Sequence, residues 1–281
     1  MTEIKKILHQ SVAQLQETSP SARLDAEVLL AFVLKKSRTF LHTHPETELT
    51  PKQSQEFMTL ISQRLIGMPI AYLTQQREFW SLPIRVSPAT LIPRPETEQL
   101  VELTLALLQD HTKATVLDLG SGSGAIALAL AAERPEWRLI AAEISLEAIA
   151  IIQENAARLH IPNIRSYHSN WFTNIPVMHF DAIISNPPYI AEGDPHLTTG
   201  DVRFEPKHAL ISGASGLDDL YQIIEQSHAR LNPGGVLLLE HGYNQGQAVR
   251  EHLARNHYQG IQSWQDWQGH ERVSGGWHSQ I

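Results

Sequence analysis

No cysteine occurs among the 281 residues of this chain. Disulfides, thiolate zinc sites and a cysteine nucleophile are thereby excluded, and a reducing compartment fits. Long apolar runs are missing as well. The longest, Ala125 to Ala132, falls far short of the ~20 residues that cross a bilayer as a helix. The first residues carry Glu3, Lys5 and Lys6 with no apolar segment behind them, so no secretory signal is read there. A cytoplasmic protein without a membrane partner is expected. A basic surplus is lacking too. The 22 Lys and Arg stand against 30 Asp and Glu, a net charge of −8. Residues 1 to 80 hold nine basic and eight acidic side chains, which leaves 13 against 22 in residues 81 to 281. Proteins that track a phosphate backbone concentrate positive charge near their chemistry. The distribution argues against direct nucleic-acid binding.

What is present reads as a soluble α/β protein with a helical preface. Before Gly67 there is no glycine. Ser19-Pro20 is positioned to start a helix with Ala22, Ala26, Leu29, Leu30 and Val33 on one face, and Thr50-Pro51 another with Ser54, Phe57, Ile61 and Leu65. A small helical domain over residues 1–76 is expected. From Arg77 the texture changes. Phe79, Trp80, Leu82, Ile84 and Val86 roughly alternate, and Pro83, Pro88, Pro93 and Pro95 stiffen the chain. Residues 77–95 therefore read as an extended, hairpin-like linker. Residues 96–281 alternate helix and strand patterns. Strands are expected at 115–119, 138–142, 164–168, 181–185 and 236–240, the last after a turn at Asn232-Pro233-Gly234-Gly235. Such alternation implies a parallel sheet covered on both faces, with ligands outside the carboxyl ends of its strands.

Two motifs fall at such ends. Gly120-Ser121-Gly122-Ser123-Gly124 leaves the first of these strands and opens a helix, a turn in which glycines let the backbone approach a ligand. Gly120, Gly122 and Ala125 also satisfy the dinucleotide pattern, and Glu143 at the next strand end could take ribose hydroxyls of either ligand. S-adenosylmethionine is preferred to a dinucleotide for two reasons. Trp171, just after the third strand, offers a face for adenine, although core packing alone would also account for it. The second motif, Asn186-Pro187-Pro188-Tyr189, has no task in hydride transfer. It suits a grip on a planar NH2 group. The Asn186 side-chain oxygen accepts one N–H, the Pro187 carbonyl the other, and Tyr189 packs against the acceptor. Asn-Pro and Pro-Pro are also ordinary turn chemistry; it is the glycine loop and Glu143 upstream that favour the catalytic reading.

These residues resemble S-adenosylmethionine-dependent methyltransferases of the class I fold. The likeness narrows to the release factor glutamine N5-methyltransferases, the HemK/PrmC family, and covers essentially the whole chain. Ser21-Ala22-Arg23-Leu24-Asp25-Ala26-Glu27, Arg77-Glu78-Phe79-Trp80, the run Leu91 to Glu98, the Asn186 to Tyr189 tetrad and Arg203-Phe204-Glu205-Pro206 carry it. The resemblance implies a Rossmann-like, mostly parallel seven-stranded sheet, with a helical bundle that helps recognise the substrate. It implies methylation of the glutamine in the Gly-Gly-Gln motif of class I peptide chain release factors. A monomer that uses no metal is expected. Gly120 to Gly124, Glu143, Trp171 and Asn186 would contact S-adenosylmethionine, and Asn186 to Tyr189 would hold the glutamine. Two residues depart from the family's habit: Glu143 stands where Asp is usual, and Asn170 where an acid often precedes the aromatic. Alternatives are glutamine methylation of a ribosomal protein, adenine N6-methylation of nucleic acid, and a non-catalytic S-adenosylmethionine-binding assembly factor.

Other residues are read more plainly. The fifteen histidines show no H-E-x-x-H spacing and are expected to be solvated or capping. Lys35, Lys36 and Arg38 read as a solvated helix end. In the long polar loop from Glu192 to Gly213, Glu205 either shapes the acceptor pocket or pairs with Arg203. Glu240-His241-Gly242 closes a strand at the rim of the site, with no role assigned.

Overall fold

Apolar spacing builds the first helices. Ile4, Ile7 and Leu15 are buried along α1 (Ile4–Leu15), and Ala22, Ala26, Leu29, Leu30 and Val33 along α2 (Ala22–Leu34). Short α3 (Arg38–Thr43) follows, then α4 (Pro51–Leu65) and α5 (Ile70–Thr74). Thr50 starts α4 with a full capping box, its hydroxyl accepting from the Gln53 N–H while the Gln53 side chain reaches back. α2 starts two residues later than expected. Ser21 is its N-cap, and the Ser19 hydroxyl instead donates to Asp25 at 2.7 Å. A two-residue pairing of β1 (Thr2–Glu3) with β2 (Glu48–Leu49) closes this group. The computed structural model describes residues 2–279.

The chain falls into two compact units. The first runs to Gln76 and also takes in Thr198–Phe204. Within it, buried Asp25 accepts from Arg64 at 2.7 Å, Arg64 lies 3.7 Å from Asp201, and Arg203 donates to the Ile66 carbonyl at 2.9 Å. The second comprises Arg77–Leu197 and the chain from Glu205 onward. A hairpin, β3 (Gln76–Phe79) and β4 (Leu82–Arg85), leads into it. Buried Asn155 fastens the hairpin there. Its side chain accepts from the Arg85 N–H at 2.7 Å and donates to the Arg85 carbonyl at 3.0 Å.

The second unit is built on a seven-stranded sheet. In chain order come α6 (Glu98–Leu107), β5 (Thr115–Leu119), α7 (Ala125–Glu133), β6 (Arg138–Glu143), α8 (Leu146–Arg158), β7 (Ile164–His168), β8 (Phe180–Ser185), α9 (Asp218–Ser227), β9 (Leu231–Glu240), α10 (Gly246–Arg255), β10 (Gln259–Gln265) and β11 (Glu271–Trp277). Across the sheet the order is β10-β11-β9-β8-β5-β6-β7. The five strands from β9 to β7 are parallel; at the other edge β11 runs antiparallel to β9, and β10, antiparallel to β11, runs in the direction of the five. This is the class I methyltransferase architecture. β5 to β9 coincide with the expected strands; β10 and β11 were not read from local pattern. The Asn232-Pro233-Gly234-Gly235 segment differs from the expected turn. It lies inside β9, where the pairing with β8 shifts register and a Cβ on Gly235 would meet the Phe180 carbonyl at 2.9 Å. No helix of the described residues is long and apolar enough to cross a membrane.

Candidate active site

The order of strands brings the two motifs together. The chain leaves β5 outward to β6 and β7, then crosses back to place β8 on the other side of β5. The switch point therefore lies between β5 and β8, where open α/β sheets bind ligands. Leu119 and Ser185 pair directly at the carboxyl ends, and the Ser185 hydroxyl donates to the Leu119 carbonyl at 2.7 Å. The glycine loop begins one residue past Leu119 and the tetrad one residue past Ser185.

Gly120, Gly122 and Gly124 all adopt positive φ, of 69°, 57° and 82°. A Cβ on Gly120 would sit 3.3 Å from the Trp171 ring, and one on Gly124 would press on Ile152 and Leu128 at 3.2 Å. Only glycine lets the loop lie flat under Trp171 and turn into α7. Glu143 ends β6 and is bound by the loop itself. One carboxylate oxygen accepts from the Gly122 N–H at 2.8 Å; the other accepts from Ile144 and Ser145 at 2.8 and 2.9 Å. Asn155 also secures the loop's far side, donating to the Ser123 carbonyl at 3.0 Å.

A cavity of about 170 Å³ opens over this corner. Gly120, Gly122, Glu143, Asn170, Trp171, Asn186 and Pro188 line it. Ser121, Ser123 and Gly124 do not. The Ser121 hydroxyl turns back to the Asp118 carbonyl at 3.0 Å, and Ser123 is buried. Their contribution is the shape of the turn. Pro187 and Tyr189 also lie outside the lining. Tyr189 packs against the core, and its hydroxyl donates to Glu240 at 3.3 Å.

The Asn186 side chain is oriented by a residue that local pattern left without a role. Its NH2 donates to the Thr97 hydroxyl at 3.0 Å, and Thr97 is buried just before α6. Neither the Asn186 side-chain oxygen nor the Pro187 carbonyl accepts a hydrogen bond from the described residues. Two acceptors are thus left at the end of β8.

Three buried groups set the electrostatics. Burial pushes the Asp118 carboxyl up to about 7, against the Ala127 N–H bonded to it and the Ser121 hydroxyl nearby. Burial likewise raises Glu240 to about 7, against Thr97, Tyr189 and Arg272. Burial, then the neighbouring Glu240 charge, pushes the Tyr189 hydroxyl well above its usual range. Two expectations need correcting. Glu205 pairs with Arg94, not with Arg203. His241 is neither solvated nor capping: it is fully buried and bonds the Ser274 hydroxyl at 2.7 Å.

Known proteins agree with this architecture along the whole chain. Residues 6–74 match the PrmC N-terminal domain and residues 97–210 the methyltransferase small domain. A release factor glutamine methyltransferase of Salmonella typhimurium is 51% identical, with 96% of each chain covered. One of Pseudomonas aeruginosa is 49% identical over 98% of each. Among solved structures, the catalytic domain of hMettl16 in complex with the MAT2A 3'UTR hairpin 6 shares the fold at 16% identity, with a TM-score of 0.58 over 90% of this chain and 92% of that one. Identity near one half, sustained over nearly the full length of the relatives, leaves one conclusion: the chain belongs to the release factor glutamine methyltransferase family.

Proposed function

We infer that this chain transfers a methyl group from S-adenosylmethionine to the side-chain amide nitrogen, N5, of the glutamine in the Gly-Gly-Gln motif of a class I peptide chain release factor. One observation carries the reading: the glycine corner and the two unengaged acceptors of the tetrad lie on adjacent strand ends. When bound, the donor supplies an electrophilic sulfonium methyl and departs as S-adenosylhomocysteine. The residues present fit it. The backbone of Gly120 to Gly124, shaped by Ser121 and Ser123, leaves room that a Cβ would fill, Glu143 presents its carboxylate to ribose hydroxyls, and Trp171 offers a face for adenine. Asn186 closes the cavity where donor and acceptor meet.

The acceptor is a weak nucleophile because its lone pair is delocalised into the carbonyl. The Asn186 oxygen and the Pro187 carbonyl accept its two N–H groups and draw the nitrogen toward tetrahedral geometry. Pro187 and Pro188 stiffen that carbonyl, and Tyr189 supports the acceptor end. Holding the reactants in line removes much of the entropic barrier, and acceptors aimed at charge developing on nitrogen stabilise the transition state. No strong base is required before attack, since the proton becomes acidic once the methyl is in place. In this reading residues 1–76 help recognise the release factor, residues 77–95 join them to the catalytic domain of residues 96–281, and the protein acts as a cytoplasmic monomer without a metal.

The test is methyl transfer from labelled S-adenosylmethionine to release factor, ribosomal protein or duplex DNA offered separately. Label on the release factor glutamine is expected; label only in DNA, only in ribosomal protein, or nowhere would sink the reading. Asn186→Ala should cut transfer by about 100-fold or more while S-adenosylmethionine binding stays within a few-fold of wild type, as measured by titration calorimetry.

A further inference from the structure

Among the described residues, the large apolar side chain most open to solvent is Trp267, whose indole is fully exposed. It does not stand on a slack loop. Trp267 lies in the turn between β10 and β11, and Asp266 ties that turn. The Asp266 carboxylate accepts from the Gln268 and His270 N–H groups at 2.8 and 3.0 Å and from Arg272 at 3.1 Å, while its own N–H donates to the His270 carbonyl at 2.8 Å. Trp267 lines a groove of about 550 Å³ together with Trp80, Pro95, Glu96, Gln99 and Glu102. Trp80, at the tip of the β3–β4 hairpin, is fixed as well. Its backbone N–H donates to Glu98 and its indole N–H to Glu133, both at 2.8 Å. Two indoles are thus set in place before any partner arrives, which lowers the ordering cost of binding. Tryptophans presented in this way are the side chains that carry most of the energy of protein interfaces.

The charge of the groove has one sign. No Lys, Arg or His lines it. Glu96 and Glu102 are exposed, and their carboxylates make no hydrogen bond or ion pair among the described residues. Indole faces beside unpaired carboxylates suit a Lys or Arg side chain, whose apolar stem lies on the rings while its cationic head meets the acids. The surrounding chain agrees in sign, since residues 81 to 281 carry 13 basic against 22 acidic side chains. The groove also adjoins the acceptor end of the active site. Glu96 and Glu98 flank Thr97, whose buried hydroxyl accepts from Asn186 at 3.0 Å. All of these residues belong to the second unit. A folded protein whose glutamine reaches Asn186 brings the surface around that glutamine to this groove.

We propose that the groove lined by Trp80 and Trp267 is a docking surface for a basic segment of the protein substrate, with a Lys or Arg side chain laid against the indoles and its charge set on Glu96 and Glu102. The inference rests on the reading that the substrate is a release factor. Such a protein works against ribosomal RNA, and proteins that do so concentrate positive charge. The groove holds the substrate and the tetrad aligns its amide. Loss of the groove therefore weakens association and leaves the chemistry of the bound substrate untouched. The carboxylates act through solvent-exposed charge, so salt weakens their part.

Binding of the full-length protein to a release factor is measured by titration calorimetry at several salt concentrations. Methyl transfer to the same release factor, S-adenosylmethionine affinity, thermal midpoint and sedimentation are recorded alongside. Trp267→Ala should raise Kd and KM roughly 30-fold, with kcat, S-adenosylmethionine affinity and thermal midpoint near wild type. The double variant Glu96→Gln/Glu102→Gln should bind several-fold more weakly at low salt and lose much of the salt dependence of Kd. A Trp267→Ala protein that binds within about twofold of wild type overturns the proposal. So does a double amide variant with unchanged affinity and salt dependence, or a wild-type dimer that Trp267→Ala dissolves, which would give the groove to a second copy of the chain. A wild-type protein that binds the release factor through the groove yet leaves it unmethylated would instead overturn the functional reading, and one that neither binds nor methylates it would overturn both.

Discussion

Asp118 is fully buried at the end of β5, with one carboxylate oxygen accepting from the Ala127 N–H at 3.3 Å and the other unpartnered among the described residues. Burial raises its pKa from 3.8 to about 7. As pH rises between these values the unfolded chain ionises while the folded one keeps its proton, so the folded state loses stability across that window. A neutral amide at this position carries no such cost. The stability difference between Asp118→Asn and wild type should therefore shift in favour of the variant as pH rises, by on the order of 3 kcal/mol. Thermal midpoints at about pH 5 and pH 8 check this; a pH-independent difference would refute the raised pKa. At the same scale, Asn186, Glu143 and Trp171 were legible as cavity residues because chemistry-bearing side chains at strand ends have few structural uses. Thr97, Asn155 and Glu240 were not, because nothing local tells that a threonine or a strand-end glutamate meets a residue far away in sequence.

At the scale of elements, the corner between β5 and α7 was readable from its glycines. Their positive φ angles and the 3.3 Å gap beneath Trp171 supply the reason. Gly120→Ala places a Cβ in left-handed backbone and against that ring, costing about 1 to 2 kcal/mol. Displacement of Trp171 should weaken S-adenosylmethionine binding roughly tenfold, with helix content unchanged by circular dichroism. Unaltered affinity would remove Trp171 from the donor site. The antiparallel pair β10 and β11 escaped local reading for an equally physical reason. β10 is largely exposed, and Glu271-Arg272-Val273-Ser274-Gly275-Gly276 offers almost no alternating apolar face. Gly275 is there because a Cβ would meet the Leu237 carbonyl at 2.5 Å, a constraint set by the neighbouring strand.

At the scale of the whole molecule, each of the two units gathers apolar residues of its own. One gathers Ile4, Leu15, Leu29, Leu30, Phe57 and Ile61; the other is centred on Leu117, Leu119, Ile140, Ile183, Leu237 and Leu239. All residues assigned to the donor belong to the second unit. A ligand that binds only a folded state stabilises it by mass action, by about 2.7 kcal/mol at a hundredfold excess over Kd. Scanning calorimetry with S-adenosylmethionine should therefore raise the transition of the second unit, and an unmoved transition would contradict a donor site there.

The sequence by itself determined the helical beginning, the alternating strands and helices, and the chemical character of the glycine loop and the proline tetrad. Each of these depends on spacing, capping and backbone restriction within a few residues. Only the tertiary structure decided that β8 returns beside β5, so that Ser185 meets Leu119 and the two motifs face one cavity. It alone set Thr97 against Asn186, and Glu240 against Tyr189. Those pairings join residues 51 to 89 positions apart, and their energies come from burial and shared protons, which exist only once the sheet has closed its core.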